Sequence, residues 1–338
     1  MNLYAQQARN RRWTWVVMLV FVALVLFLGL GLDAAYYTAE GVTLPIATSV
    51  ALLYGLGTSA YSYFRGDKAV LASTRARDLE TAIAAAADRV EYRQLQNVVD
   101  EMSIASGLPR PKVYLVDDPD PNAFATGRDP RHASIAVTEG LLAVLNREQL
   151  QGVIAHEMSH IRNYDIRLMT MVAALVGAVA LLSDWAARGM RFGLFGGKGG
   201  RSRSKKDGGG IVAIVVLVIW LVAIVVAPIV ARILAMMVSR RREFLADATA
   251  AELTRNPGAL ADALQRLDGH PAPTIAVHMG SAHLCIADPL GRPVNEKKGW
   301  WANLLATHPP MHERISALRN MAYQGSSKVQ VQSSKPQH

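Results

Sequence analysis

The sequence has only one cysteine, Cys285, in 338 residues. A single thiol cannot form an internal disulfide, so the fold has no covalent cross-link and nothing indicates an oxidising compartment. Recognisable nucleic-acid motifs are also missing, although the formal net charge is +9. The cations cluster beside apolar segments, as at residues 9–12, 65–68 and 240–242, where membrane topology explains them. We therefore expect no nucleic-acid partner.

Long apolar runs without charge dominate the composition instead. Residues 13–32 and 42–64 are each long enough to cross a hydrocarbon core of about 30 Å as a helix. The first run is too long for the apolar part of a signal peptide, so it is interpreted as a retained anchor. A third run, residues 168–183, is marginal for a crossing, whereas a fourth, residues 211–231, is long enough. The sequence thus predicts an α-helical integral membrane protein with up to four spans.

The polar segments between these runs predict a folded domain outside the membrane. Residues 112–116 and 133–138 are short, β-branched and separated by a turn-rich stretch, so they are predicted strands. Helical periodicity surrounds them, which predicts a mainly α domain with a small β-sheet, in the α+β class. The predicted organisation is a transmembrane hairpin at 1–65, a soluble segment at 66–167, two apolar segments joined by a basic Gly-rich linker at 168–231, a second soluble segment at 232–324 and a disordered tail at 325–338.

The stretch VIAHEMSHIRNYD, residues 153–165, carries the clearest chemical signal. Asn146 followed three residues later by a glutamine predicts a capping box and a helix over residues 148–163. On that helix His156 and His160 share one face, and Glu157 is offset by one position. Two imidazoles and a third protein ligand can hold a zinc ion that activates water, and Glu157 would accept the proton of that water. The alternative is a pair of ordinary surface histidines.

The third metal ligand has to come from elsewhere in the chain. A third histidine at metzincin spacing is excluded, because Asn163 and Ile166 occupy the corresponding positions. The stretch RRREFLADA places Glu243 and Asp247 one helical turn apart, so that one can bind metal while the other accepts a hydrogen bond from a ligand imidazole. Acidic pairs at this spacing are more often solvated surface residues. The two carboxylates are therefore alternatives at this point.

Three further stretches accompany the histidine motif: NAFATG at 122–127, SRRREFLADA at 239–248 and THPPMHERISAL at 307–318. Together with it they closely resemble the HtpX family of membrane-bound zinc metalloproteases, from the first apolar run to about residue 318. The resemblance implies a zinc-metalloprotease domain that holds one Zn²⁺ per chain. Carried over to this sequence, it implies the metal ligands His156, His160 and Glu243, the general base Glu157 and the supporting carboxylate Asp247.

The same resemblance implies roles for two other groups of residues. Asn122, Ala123, Phe124 and Ala125 would align a substrate peptide by main-chain pairing, and the alternative is an ordinary turn leading into a strand. His308 and Arg314 would stabilise the oxyanion of the tetrahedral intermediate. The alternative there is structural, with the His-Pro-Pro stretch starting a helix and Arg314 on its surface.

Charge distribution predicts the orientation in the membrane. The loop between the first two apolar runs, DAAYYTAEG, has two acids and no lysine or arginine, so both outer ends of the hairpin are expected in the cytoplasm. Seven cations between residues 188 and 206 contradict this rule if the third run crosses the membrane. Either the first hairpin dominates the orientation, or the third and fourth runs return without crossing. Both alternatives place the metal site at the cytoplasmic side of the membrane, and the resemblance implies that this is a bacterial inner membrane.

The predicted activity is a zinc-dependent endopeptidase that cleaves membrane or misfolded proteins at the membrane surface. Protein quality control and a stress response are what the resemblance implies. One alternative is a processing peptidase for a specific lipidated or signal-derived substrate, and another is a catalytically silent membrane scaffold. The expected partners are protein or peptide substrates and the lipid bilayer, and no pattern in the sequence indicates an oligomeric state.

Overall fold

The structure is a computed structural model that describes residues 3–40, 44–191, 240–269, 284–287 and 309–333. The strands are β1 (Arg77–Asp78), β2 (Lys112–Val116), β3 (Ala123–Gly127) and β4 (Ala133–Thr138). The helices are α1 (Leu3–Glu40), α2 (Ile46–Ser73), α3 (Leu79–Ala85), α4 (Val90–Ser106), α5 (Glu139–Val144), α6 (Arg147–Arg162), α7 (Asp165–Arg191), α8 (Arg240–Thr254), α9 (Pro257–Asp268) and α10 (Met311–Ser333). A short 3₁₀ turn, Pro130–His132, precedes β4.

Helices α1 and α2 form a hairpin that packs along α7. Val17, Phe21 and Val25 of α1 are buried against Met171 and Leu175 of α7. Between α1 and α2 the backbones approach closely, because a Cβ atom added at glycine 29 would lie 2.7 Å from the Ala51 Cβ. These three helices carry the apolar runs that the sequence predicts to lie in or at the membrane.

Within the described residues, one helix is long and apolar enough to cross a membrane, the Ala5–Gly31 part of α1. The predicted span at 42–64 corresponds to most of α2, whose many Ser, Thr, Tyr and Gly residues lower its hydropathy. Its outer face is nevertheless apolar, with Leu53 and Phe64 more than half exposed. The third run lies within α7, and the predicted segment 211–231 lies outside the described residues.

The sheet has the strand order β1-β2-β4-β3. Strands β2 and β4 pair in parallel, whereas β3 and β4 pair antiparallel, which makes β3 an edge strand of the sheet. The predictions for residues 112–116 and 133–138 are confirmed to the residue. Alternate residues such as Leu115 and Ile135 are completely buried beneath helices, and each such side chain stabilises the fold by about 1.5–3 kcal/mol.

Helix α6 lies in the middle of the domain, between the sheet and α4, α8 and α9. Its capping box is present, since the Asn146 side chain accepts from the Gln149 amide at 2.9 Å and the Gln149 side chain accepts from the Asn146 amide at 3.1 Å. The predicted helix at 148–163 is thus confirmed to within one residue at each end. Residues 152–161 of α6 are all buried, so the histidine motif is not a surface pattern.

Three helices of the structure extend across boundaries that the sequence predicts between segments. Helix α2 continues to Ser73, past the expected boundary at residue 65, and α7 begins at Asp165, before the boundary at residue 168. Helix α10 extends to Ser333, although 325–338 was expected to be a disordered tail. No proline follows Gly325 until residue 336, so nothing in this polar stretch breaks the helix.

Candidate metal centre

Three side chains from two helices converge at the centre of the domain. The Nε2 atoms of His156 and His160 lie 3.2 Å apart. The two carboxylate oxygens of Glu243 on α8 lie one beside each imidazole, with Oε2 3.7 Å from Nε2 of His156 and Oε1 3.7 Å from Nε2 of His160. All three residues are at most 3% exposed. One donor atom from each of the three residues lies within 4.8 Å of the other two. Ligands about 2.0–2.1 Å from a tetrahedral zinc ion are about 3.3 Å from one another, so these three residues could hold one such ion.

The orientation of the imidazoles supports the same interpretation. The Nδ1 atom of His156 lies 2.9 Å from Asp247, and that of His160 lies 3.0 Å from Asp165. Each carboxylate can accept a hydrogen bond from the Nδ1–H group of its imidazole, and in that tautomer the Nε2 lone pairs of the two imidazoles face each other. Two facing lone pairs at this distance repel unless a proton or a metal cation lies between them. The donor set therefore fits a metal ion, and Asp165 and Asp247 set the orientation of its ligands.

Asp247 is itself held by Arg314 of α10. The guanidinium donates from Nε and Nη2 to the two oxygens of Asp247, at 2.8 and 2.7 Å, and from Nη1 to the Ile286 carbonyl at 3.1 Å. Burial alone raises the pKa of Asp247, but the Arg314 charge outweighs it and lowers the pKa to about 2. Arg314 is completely buried, so the alternative of a surface arginine is wrong.

Burial by itself lowers the pKa of His156, but hydrogen bonds to Asp247 and Glu243 outweigh it and raise the pKa to about 9. The metal-free site therefore holds a proton at neutral pH. A metal ion that binds to Nε2 has to displace that proton, and the two carboxylates that favour the proton also favour a divalent cation.

Glu157 lies beside the three ligands, on α6. Neither of its carboxylate oxygens has a hydrogen bond of normal geometry among the described residues. Burial raises the pKa of Glu157, while the imidazoles of His156 and His160 oppose that rise. A buried carboxylate with a raised pKa next to a metal site is a candidate for a general base.

The edge strand β3 runs past this site, and part of its outer edge is already paired. In an antiparallel ladder only every second residue forms main-chain hydrogen bonds with the neighbouring strand. Asn122 is bonded to Thr138 in this way, so the main-chain groups of Ala123, Ala125 and Gly127 point away from β4. The Ile286 amide donates to the Ala123 carbonyl at 3.0 Å, and Cys285 lies opposite Phe124. Further on, the Gly127 amide donates to the Thr170 hydroxyl at 2.9 Å.

The structure thus brings together six of the residues singled out in the sequence: His156, His160, Glu243, Glu157, Asp247 and Arg314. Residues 122–125 lie on the adjacent edge strand, where residues 284–287 pair with them. His308 lies outside the described residues. Sequence reasoning missed Asp165, because on a continuous helix a residue five positions after His160 would lie on a different face from His160. Tyr164, with φ of 59°, ends α6 and turns Asp165 back to the site.

Two imidazoles on one helix, a carboxylate from a later helix and an adjacent buried carboxylate define the class of metallopeptidases with an HExxH helix and a distant glutamate ligand. The model of peptidase family M48 matches residues 90–322 of the chain. A protein named Protease HtpX homolog from Caldanaerobacter subterraneus subsp. tengcongensis is 42% identical over 95% of this chain and 98% of its own length. A homologue with the same name from Tropheryma whipplei is 38% identical over 95% of this chain and 99% of its own length. Another, from Streptococcus thermophilus, is 39% identical over 94% of this chain and 100% of its own length. The chain belongs to peptidase family M48, in its HtpX group, and is a metalloprotease.

Among solved structures, that of Ste24p from S. mikatae aligns over 93% of this chain and 67% of its own chain, with a TM-score of 0.41 and 16% sequence identity. This similarity is too low to support an argument about the site.

Proposed function

We propose that the protein is a zinc-dependent endopeptidase that cleaves membrane or misfolded proteins at the cytoplasmic surface of the membrane. The observation that carries this proposal is the convergence of His156, His160 and Glu243, all buried, next to the buried carboxylate of Glu157. Ligands alone would suffice for a structural metal site. A free carboxylate at this position serves a hydrolytic reaction, in which a proton has to be moved.

In this proposal His156, His160 and Glu243 hold the zinc ion. A bound zinc supplies Lewis-acid activation of water and of the scissile carbonyl. Glu157 accepts a proton as water attacks the carbonyl and then delivers it to the departing amine. Its buried position, which raises its pKa, keeps that proton within the site between the two steps.

Arg314 has a different place in this proposal from the one that the resemblance implies. Its donors are directed at Asp247 and Ile286, so its main task is to fix Asp247 and, through it, His156. Its charge also lies 3.9 Å from Glu243. His308 would then stabilise the oxyanion directly, and this role stays a prediction from the family resemblance.

The proposal includes main-chain pairing of a substrate peptide with β3, but residues 284–287 already contact this edge. Asn122 donates to the Ala287 carbonyl at 3.1 Å, and Ala123 accepts from Ile286. A peptide that pairs with residues 122–125 therefore requires residues 284–287 to leave this edge. Both arrangements use the Ala123 carbonyl, so the chain's own segment and a substrate compete for it.

The membrane location is supported by the apolar helix in α1 and by the exposed apolar side chains of α1 and α2. Leu19 and Phe27 are more than 60% exposed, as are Ile46 and Leu53, which suits contact with lipid rather than water. The basic residues 9–12 at the start of α1 favour a cytoplasmic N-terminus. Multiple crossings and a role in quality control belong to this proposal as well.

The metal content of matched variants tests the ligand assignment. We expect the purified wild type to hold about one zinc ion per chain and Glu243→Ala to hold almost none. Glu252→Ala is the matched control, because Glu252 lies exposed on the same helix. Full zinc content in Glu243→Ala would contradict the assignment of the third ligand.

A further inference from the structure

The start of α1 contacts the junction between α6 and α7, directly behind the metal centre. The Gln7 side chain donates to the Arg162 carbonyl at 2.9 Å. Asn10 donates from Nδ2 to the Asn163 carbonyl at 3.0 Å and to the Asp165 carboxylate at 2.6 Å. A helix with the composition of a membrane anchor thus reaches the polar residues that follow the histidine motif.

Asp165 connects this contact to the metal centre. One of its oxygens lies 3.0 Å from the Nδ1 atom of His160. Its other oxygen accepts from Asn10 and lies 3.6 Å from the Arg242 guanidinium. Asn10 is 3% exposed and Asp165 is fully buried. A carboxylate at such a depth depends on every donor around it, because water does not replace a lost one.

The backbone at the junction gives a second, independent indication. Tyr164 has φ of 59°, a left-handed conformation that is unfavourable for a bulky residue. Asn10 binds acceptors on both sides of it, the Asn163 carbonyl and the Asp165 side chain. The Arg11 guanidinium also lies 4.8 Å from the centre of the Tyr164 ring. Contacts from α1 therefore hold the turn that directs Asp165 toward His160.

We propose that Asn10 is a positioning residue for the metal centre, which acts through Asp165 on the orientation of His160. In this arrangement α1 is a component of the metal centre as well as a membrane anchor. The inference rests on the proposed role of His160 as a metal ligand. It extends that role, because it makes metal affinity depend on the docking of a helix that is distant in sequence.

Variants of α1 test this inference by metal affinity rather than by cleavage. The full-length protein in detergent is stripped of metal and titrated with Zn²⁺ in competition with a chromophoric chelator. Loss of a residue that supports a metal ligand lowers affinity by about 10–100-fold, and we expect about 10-fold for Asn10→Ala. The visible spectrum of the Co²⁺-loaded protein should shift in the same variant, because the geometry at His160 changes.

Gln7→Ala is the matched control, since it removes a hydrogen bond between α1 and the end of α6 without touching Asp165. It should bind Zn²⁺ as tightly as the wild type. Asn10→Asp keeps the shape of the side chain and removes the donor, so it should lose at least as much affinity as Asn10→Ala. In an Asp165→Ala background, Asn10→Ala should cause no further loss, because the connection to His160 is already broken.

The outcomes separate this inference from the proposed function. Wild-type affinity in Asn10→Ala and Asn10→Asp, with His160→Ala unable to bind Zn²⁺, would overturn the inference alone. Equal losses in Gln7→Ala and Asn10→Ala would also overturn it, since general loosening of α1 would then explain both. A wild type that binds no more Zn²⁺ than His160→Ala would overturn the proposed function itself.

Discussion

At the scale of single residues, the metal centre depends on polar side chains that are not metal ligands themselves. Arg314 binds Asp247, and Asp247 orients His156. Asn10 binds Asp165, and Asp165 orients His160. Each ligand imidazole therefore has a buried carboxylate behind it, and each carboxylate has a donor from a different helix. Such outer residues are commonly as important for metal binding as the ligands.

Replacement of Arg314 should destabilise the protein strongly. Arg314→Met leaves the Asp247 carboxylate buried without its cation, and breaking one side of a buried pair costs about 3–5 kcal/mol. Thermal unfolding in detergent measures the effect. Arg319→Met is the control on the same helix, because its pair with Asp262 is about half exposed and should contribute less than about 1 kcal/mol. Equal melting temperatures for the two variants would contradict this account of Arg314.

The metal-free protein should lose stability as the pH rises. His156 has a pKa of about 9 in the folded metal-free state, above its ordinary value of about 6.5. A raised pKa in the folded state adds stability that is complete below about pH 6.5 and disappears as the pH passes 9. We expect the melting temperature of protein stripped of metal to fall between these pH values, and that of zinc-loaded protein to fall less. A flat profile without metal would contradict the buried charged pair of His156 and Asp247.

Sequence reasoning found the residues whose relation is local. His156, Glu157 and His160 follow from spacing on one helix, and the capping box fixed where that helix begins. Glu243 and Asp247 could not be told apart, because both lie on one helix face and only the packing of α8 against α6 decides which one meets the imidazoles. Asp165 and Asn10 were missed, since their contacts depend on a left-handed turn and on a helix more than 150 positions away in sequence.

At the scale of elements, the edge strand β3 is the part of the fold that we propose aligns the substrate. Strands β2 and β4 are evident from their β-branched residues, whereas β3 lies in a turn-rich stretch and was indicated by the family resemblance. Its partner on the outer edge, residues 284–287, is buried in the same core and joined to Arg314 through the Ile286 carbonyl. This short segment therefore contacts both the outer edge of β3 and the arginine that holds Asp247.

A disulfide can test whether this segment has to move. Cys285 lies opposite Phe124, and directly opposed residues of antiparallel strands are close enough for a disulfide. Phe124→Cys should form one with the only native cysteine. If substrate pairs with β3, the oxidised variant should lose nearly all cleavage of casein, and reduction should restore it. Phe124→Cys combined with Cys285→Ala is the control that cannot be locked. Equal cleavage by the oxidised and reduced variant would contradict the proposed competition.

At the scale of the whole molecule, the helices α1, α2 and α7 join an apolar surface to a buried polar site. The outer face of α1 and α2 carries large exposed apolar residues, whereas the inner end of α1 places Gln7 and Asn10 against the domain. The arrangement keeps the metal centre within a few turns of the helix that the composition assigns to the membrane. Access to membrane-bound or unfolded substrates would follow from that proximity.

The membrane assignment predicts how the protein fractionates. The full chain should remain in the membrane pellet after extraction with alkaline carbonate and should be released by detergent, because the apolar faces of α1 and α2 need lipid or detergent around them. Immunoblotting of the fractions measures this. A known peripheral membrane protein, followed in the same fractions, confirms that the extraction works. Release of the full chain by carbonate alone would contradict an integral membrane position.

We propose above all that the buried centre on α6 and α8 performs zinc-dependent hydrolysis with Glu157 as its base. The direct test is to measure zinc content and casein cleavage in detergent for the wild type and for Glu157→Gln. We expect Glu157→Gln to keep its zinc, since Glu157 is not among the three converging ligands, and to lose cleavage by at least about a hundredfold, the usual contribution of a general base. If Glu157→Gln cleaves casein as fast as the wild type, the hydrolytic mechanism is wrong and a membrane scaffold becomes the better account.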